Sequence, residues 1–422
     1  MRYFFSLLIF LFVFHSGKCY STTPFSTLNS FCTAEKQYKS QTELLSIADK
    51  YPRTINIKGD LVSTRFDNWT EGFFPGCLWY IYDNNRQDVW KQLALKWTIP
   101  LEKMKFLTSH HDIGFLMYCS YGHAYRLTKD EKYKEILIQS AKSLCTRFSK
   151  KTGCIKSWDY YQSWDGKNKL YYPVIIDNLM NLELLYFASE VSGDKHFAEI
   201  ATMHAETTAK NHFRPDYSSY HVVDYDPITG QVLFRGTSQG FADNSTWSRG
   251  QAWGIYGYTM IYRFTKRKEF LDLAKHLADY WLNNKNLPAD GIPYWDFNAG
   301  QKGLVAANWA EKNHAPLVQP RDASAAAITC SALLELSTYL KNDRKYFNAA
   351  IKILKSLSTS VYLAESGTNG NFLMKHCTGN LPLGSEIDVP LIYADYYFLE
   401  ALHRYNTLNL KEKNNIISIQ KN

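Results

Sequence analysis

The chain of 422 residues is 45% hydrophobic and 21% charged, long enough to bury a large core and too apolar to stay disordered. Its formal charge of +8 is spread along the sequence, which gives nucleic-acid binding little support and leaves a weak preference for a small anionic ligand. The 24 Phe, 11 Trp and 30 Tyr belong mostly in a core, and the remainder suit stacking on sugar rings or bases.

Residues 1–18, MRYFFSLLIFLFVFHSGK, join a basic start at Arg2 to an apolar run over 3–14 that is too short to cross a bilayer. This pattern predicts a secretory signal peptide over residues 1–20 and an exported mature protein. Lys18, just before Cys19, is a poor match to a lipoprotein signal, so lipid anchoring at Cys19 has weak support. No other run approaches the ~18 apolar residues of a membrane span. The eight cysteines form no CxxC pair and sit mostly in apolar surroundings, as buried thiols do rather than a disulfide framework or a zinc site.

A repeat runs through the rest, 21–422, read as one domain. The polar turns LTKDEKY ending at Tyr133, VSGDKHF at Phe197, FTKRKEF at Phe270 and LKNDRKY at Tyr346 each follow an apolar helical segment and precede an amphipathic one. A weaker copy turns at residues 83–87 after GCLWYIY. The last apolar segment, VPLIYADYYFLEALHRY, lacks a following partner, and a helix expected around residues 44–50 lacks a preceding one. Pairing the two closes six hairpins into concentric inner and outer rings, an all-α (α/α)6 barrel. An open solenoid of the same hairpins is the alternative. Residues 212–247 break the pattern, and YHVVDYDPITGQVLFRGT reads as a β-hairpin or long ordered loop turning at Asp226-Pro227.

Unusual polar residues fall where inner helices begin. Asp112 follows Ser109 as an expected cap, Asp177 lies four residues after Pro173, Arg249 and Gln251 follow the cap-like Ser245 and Thr246, and Arg321 and Asp322 open a fourth helix. If the inner helices run the same way, all these starts share one mouth. Ordinary roles compete at each position. The aspartates can complement helix dipoles, Arg249 can pair with Asp243 or Asp322, and at least one of Trp247 and Trp253 belongs to the core. His110, His111 and His221 lack metal-ligand spacing, so neither a metal nor a cofactor is expected.

At STWSRGQAW, SHHDIGF and IIDNLMN the sequence resembles the unsaturated glucuronyl hydrolases of glycoside hydrolase family 88. The likeness covers residues 69–405 and includes FFPGCLW, YHVVDYDPITG, RDASAAAI and DVPLIYADYYFLEAL in order. It implies the (α/α)6 barrel, a periplasmic setting, and an unsaturated uronic-acid oligosaccharide as substrate. By this resemblance Asp177 is the acid/base and Asp112 its companion, with His221, Gln239, Trp247, Arg249 and Trp253 lining the pocket. Phe74 stands where a tryptophan is expected, and no counterpart of a C-terminal Ser and Lys cluster for sulfated substrates is found. The chemistry is coherent with this assignment: protonating C4 of the vinyl ether puts positive charge on C5 and the ring oxygen, and water then adds at C5. A helix start lowers an aspartate pKa, so Asp177 needs burial among Ile175, Ile176 and Leu179, and Asp112 as a nearby like charge, to hold its proton. An inverting acid and base pair acting on a saturated glycoside is a second reading, and an exported glycan-binding protein without catalysis a third.

Overall fold

A computed structural model describes residues 26–45, 50–159, 161–162, 169–301, 318–340 and 343–420. The signal segment, Cys19 and part of the turn before Tyr346 lie outside them. Helices α2 (Phe73–Asn85), α4 (Ile113–Met117) continued by α5 (His123–Thr128), α7 (Asn178–Ser192), α9 (Ser248–Thr265), α11 (Ala323–Thr338) and α13 (Ile392–Gln420) form the inner ring. Outside them lie α1 (Thr27–Leu44), α3 (Asp88–Thr98), α6 (Glu131–Cys145), α8 (Lys195–Asn211), α10 (Lys268–Leu282) and α12 (Lys345–Leu357). The ring closes where α13 packs between α11 and α2, with Phe73 against Tyr396 at 5.2 Å between ring centroids. The open solenoid is thereby excluded.

Burial explains the sorting into rings. Every residue of α9 from Ser248 to Ile261 is buried, whereas α10 buries Phe270, Ala274, Leu277, Ala278 and Trp281, a single stripe at helical spacing. The turns repeat because their caps repeat. Arg86, Lys129, Gly193 and Lys266 end the inner helices in the left-handed region, with φ of 58°, 59°, 76° and 56°. Asp130 and Asp194 then cap the outer helices, accepting from the amides of Lys132 and His196.

Two expectations need correction. The first outer helix is Thr27–Leu44 rather than residues 44–50, of which 46–49 are not described. Pro173 does not open a helix but begins a strand, β3 (Pro173–Ile175), beside β4 (Val222–Tyr225) and β5 (Val232–Gly236) in an antiparallel sheet of order β3-β4-β5. The hairpin read at residues 212–247 is thus present. It turns after Tyr225 and is joined by a third strand. Among four further two-stranded pairs, the longer ones join β1 (Tyr51–Ile55) with β2 (Leu61–Thr64) and β6 (Cys377–Asn380) with β7 (Ser385–Val389). Among the described residues seven cysteines are free, five of them buried, and no helix is long and apolar enough to cross a membrane.

Candidate active site

Asp112 and Asp177 occupy the N-cap positions of α4 and α7, yet neither side chain makes a capping hydrogen bond. Asp322 shows what a capping aspartate does here, accepting from the amides of Ser324 and Ala325 at the start of α11. The ordinary helix-capping role therefore accounts for Asp322 and leaves the other two carboxylates for something else. Ser109, Ser245 and Thr246 are not caps either; Ser245 Oγ donates to Asp296 at 2.7 Å. Side-chain exposure of 14% at Asp112 and 12% at Asp177 keeps both reachable, while His221 and Arg249 behind them are at 2%.

Two local devices bring these groups together. Strand pairing of Ile175 with Val222 continues one step to Ile176, whose amide donates to the His221 carbonyl at 3.0 Å; Asp177 follows directly, and His221 Nε2 lies 3.7 Å from its Oδ2. Helices α4 and α7 touch at Gly114, where the Phe115 amide donates to Asn181 Oδ1 at 2.9 Å.

The two carboxylates are pushed in opposite directions. Burial raises Asp177 to about 7, aided by the Asp112 charge and opposed by Arg249. At Asp112 burial also pushes upward, but the neighbouring His111 and His110 outweigh it and hold the group below the usual aspartate value. The contacts are His110 Nδ1 to Oδ2 at 3.3 Å and His111 Nε2 to Oδ1 at 3.4 Å. His111 itself is fully buried and is lowered by that burial to about 4.

His221 has its tautomer fixed. Its Nδ1 accepts from the amides of Ser238 and Gln239 at 3.0 and 3.1 Å, so in the neutral ring the hydrogen sits on Nε2, facing Asp177. Burial, with Arg249 as a second cause, keeps the ring well below its ordinary pKa and hence neutral. The Trp247 ring lies against it at 4.4 Å between centroids, tilted by 36°.

Arg249 is anchored more thoroughly than the sequence reading expects. Nη1 donates to Asp322 Oδ2 at 3.0 Å and to the Thr378 carbonyl; Nη2 donates to the Gly379 carbonyl at 2.6 Å and to Gln239 Oε1 at 3.4 Å. The guanidinium lies 4.6 Å from the centre of the Trp247 ring. With both Nη atoms engaged, no free fork remains for a substrate carboxylate in this arrangement. The choice between Asp243 and Asp322 as its partner falls to Asp322. Trp253 is wholly buried between Phe115 and Tyr397, each 5.4 Å away, and Trp247 is buried in the same core with 3% exposure.

Gln251 and Arg321 fall outside the site. Gln251 binds backbone groups of Ser219, Tyr217 and Leu277, and Arg321 reaches Asp290 at 3.2 Å. Sequence reasoning missed the grip of β6 on Arg249, because backbone carbonyls carry no residue signature. It also missed Tyr393, whose ring lies 5.2 Å from that guanidinium. Among the described residues no three His, Cys, Asp or Glu side chains gather in a group able to hold a metal ion.

Residues 46–407 match the glycosyl hydrolase family 88 pattern. An unsaturated glucuronyl hydrolase of Formosa agariphila is 45% identical over 367 residues, 86% of each chain. The crystal structure of an unsaturated glucuronyl hydrolase specific for heparin superposes with a TM-score of 0.83 at 45% identity, covering 91% of this chain and 97% of that one. That of the Bacillus sp. GL1 unsaturated glucuronyl hydrolase gives 0.80 at 30% identity, covering 90% and 97%. With the barrel, the paired aspartates and this similarity along most of its length, the chain belongs to glycoside hydrolase family 88 and is a glycoside hydrolase of the unsaturated glucuronyl hydrolase type.

Proposed function

We propose that the enzyme releases a 4,5-unsaturated uronic acid from the non-reducing end of lyase-generated oligosaccharides by hydrating its C4–C5 double bond. The observation that carries this reading is the split between two neighbouring carboxylates, Asp177 raised to about 7 and Asp112 held low. One group keeps a proton near neutral pH while the other stays charged. Asp177 gives its proton to C4, and the positive charge that develops on C5 and the ring oxygen is stabilised by ionised Asp112. Asp177, now a carboxylate, takes a proton from the water that adds to C5. The resulting hemiketal opens and the remaining sugar departs, with no displacement at the anomeric carbon. The Nε2–H of His221 offers a fixed donor beside Asp177, and Trp247 a flat wall for the ring. Arg249 acts through its charge on Asp177 and through the frame of Asp322 and β6 around it.

The test is to follow the ultraviolet absorbance of the conjugated double bond in disaccharides produced by lyases from chondroitin, hyaluronan, heparin, ulvan and gellan. Loss of absorbance with at least one of them, abolished in a folded Asp177→Asn variant, supports the reading. Retained turnover in that variant removes Asp177 from the role. Export to the periplasm rests on Arg2 and the apolar run at 3–14. Fractionation that finds the chain in the cytosol with Met1 intact would overturn it.

A further inference from the structure

Asp112 stands at the N-cap of α4 without capping it, and its carboxylate turns instead toward His110, a ring the hydrolytic steps above leave without a task. The main chain beneath that ring is pinned. His110 pairs with Trp158 in an isolated antiparallel bridge, and the His111 amide donates to the Ser157 carbonyl at 3.2 Å. Side-chain torsions alone then decide where the two ring nitrogens of His110 point.

Both nitrogens are committed. Nε2 lies 2.9 Å from the carbonyl oxygen of Asp67. A carbonyl only accepts, so Nε2 carries a hydrogen and donates it. The turn that presents this carbonyl follows β2 and holds Phe66 and Asp67 in left-handed conformations, with φ of 32° and 67°, unusual for residues other than glycine. The Phe66 ring packs against Tyr51 at 6.4 Å between centroids, which ties the turn to β1. Backbone strain of this kind persists where the surroundings enforce it and gathers at functional positions.

Nδ1 faces two groups of one residue that make opposite demands. The Asp112 amide donates to it at 3.2 Å, which needs a lone pair, while Asp112 Oδ2 lies 3.3 Å away and needs a hydrogen. In the neutral ring the amide is served, and lone pairs on Nδ1 and Oδ2 are set against each other. In the imidazolium Nδ1 gives its hydrogen to the carboxylate, a charge-assisted bond about twice as strong as a neutral one. His111 Nε2 meets the other oxygen, Oδ1, at 3.4 Å, but burial keeps that ring neutral. The remaining charged group that faces His110 is Arg147, beyond the end of α6, already engaged by Asp159 at 3.1 Å and by the Thr108 and Lys156 carbonyls. Burial works against charging the His110 ring, and Arg147 does too. The Asp112 carboxylate and the Asp67 carbonyl outweigh both and raise the ring above the ordinary histidine value.

We propose that His110 is a positioning residue whose protonated ring clamps the Asp112 carboxylate in place for hydration of the double bond, and whose deprotonated ring releases it. The proposal deepens the function assigned to Asp112 and Asp177 and rests on it. Turnover then needs two protons held at once, one on Asp177 and one on His110.

Two measurements on the full chain test the clamp. Proton NMR follows the His110 ring without substrate, its signal assigned by its absence from His110→Asn. The ring pKa should lie above the ordinary value in the parent and fall in Asp112→Asn; equal values in the two proteins would overturn the clamp. The second measurement is kcat/KM against pH with a disaccharide of the lyase panel. The alkaline limb of the parent should reflect loss of two protons. His110→Gln places an amide where Nε2 stood and none at Nδ1, so kcat should fall about tenfold or more with KM little changed, as for a lost hydrogen bond to a charged group. His110→Asn places its amide nitrogen where Nδ1 stood and donates at every pH, so it should recover most of that rate. Both variants should show a one-proton limb. A one-proton limb in the parent, or equal rates in the two variants, would overturn the proposal. A ring pKa that depends on Asp112 in a protein that leaves the double bond intact would count against the hydration reading and not against the clamp.

Discussion

Gly114 and Asn181 approach so closely that a Cβ on the glycine would lie 2.5 Å from the Asn181 Cα. Gly114 follows Asp112 by two residues and Asn181 follows Asp177 by four, so this contact sets the spacing of the two carboxylates. A methyl group there meets backbone and cannot be absorbed by turning a flexible side chain. Gly114→Ala should therefore separate α4 from α7, costing about 1–3 kcal/mol in stability, as overpacking does. It should also lower kcat about tenfold or more while the protein stays folded. Chemical denaturation paired with steady-state kinetics checks both, and a stable variant of normal kcat would show that the spacing does not matter.

Asp177 links catalysis to stability. Its folded-state pKa of about 7 lies above that of an unfolded aspartate, so the folded state holds the proton more tightly. Stability contributed by that proton is lost as pH rises from about 4 towards 7. Asp177→Asn, which never ionises, should gain in Tm over the parent, and the gain should be larger at pH 8 than at pH 5. Glu71 and Asp395, also raised to about 7 by burial, add the same slope to both proteins and cancel in the comparison. An equal Tm difference at the two pH values would place the Asp177 pKa back in the ordinary range.

Asp112 raises Asp177 by charge, so neutralising it should act in the opposite direction. In Asp112→Asn the loss of activity on the alkaline side should begin at lower pH, because Asp177 then gives up its proton sooner. The kcat should fall as well. A pH and rate profile of unchanged shape and reduced height would assign Asp112 to positioning alone.

Replacing Arg249 with lysine keeps the charge and removes the fork that reaches Asp322, Thr378 and Gly379. Arg249→Lys should reduce kcat/KM about tenfold or more, ~1.4 kcal/mol, through loosening of β6 and of the Trp247 wall. Steady-state kinetics with the best disaccharide of the lyase panel decides it, and near-parental kcat/KM would mean that charge alone suffices.

The barrel was legible because its turns carry their own chemistry, a left-handed Lys or Gly followed by an aspartate cap at Asp130 and Asp194. The first outer helix was misplaced for a physical reason: α1 buries Ser30, Gln37, Gln41 and Thr42 along with Phe31, Ala34 and Tyr38, so no apolar stripe marks it. Pro173 misled because its fixed backbone angle suits a strand as well as a helix start. Within the site, Asp112, Asp177 and His221 could be read from residue types at helix starts and from family motifs. The anchoring of Arg249 could not, since it depends on carbonyls of Thr378 and Gly379 more than a hundred residues away.

Hydration of the double bond is the central claim, and turnover of a matched pair of disaccharides tests it most directly. One carries the 4,5-unsaturated uronic acid and the other its saturated counterpart, with sugar release followed by product chromatography. The account predicts release from the unsaturated compound only, since the saturated ring offers Asp177 no double bond to protonate. Measurable hydrolysis of the saturated disaccharide would contradict it and favour an ordinary inverting acid and base pair acting at the anomeric carbon.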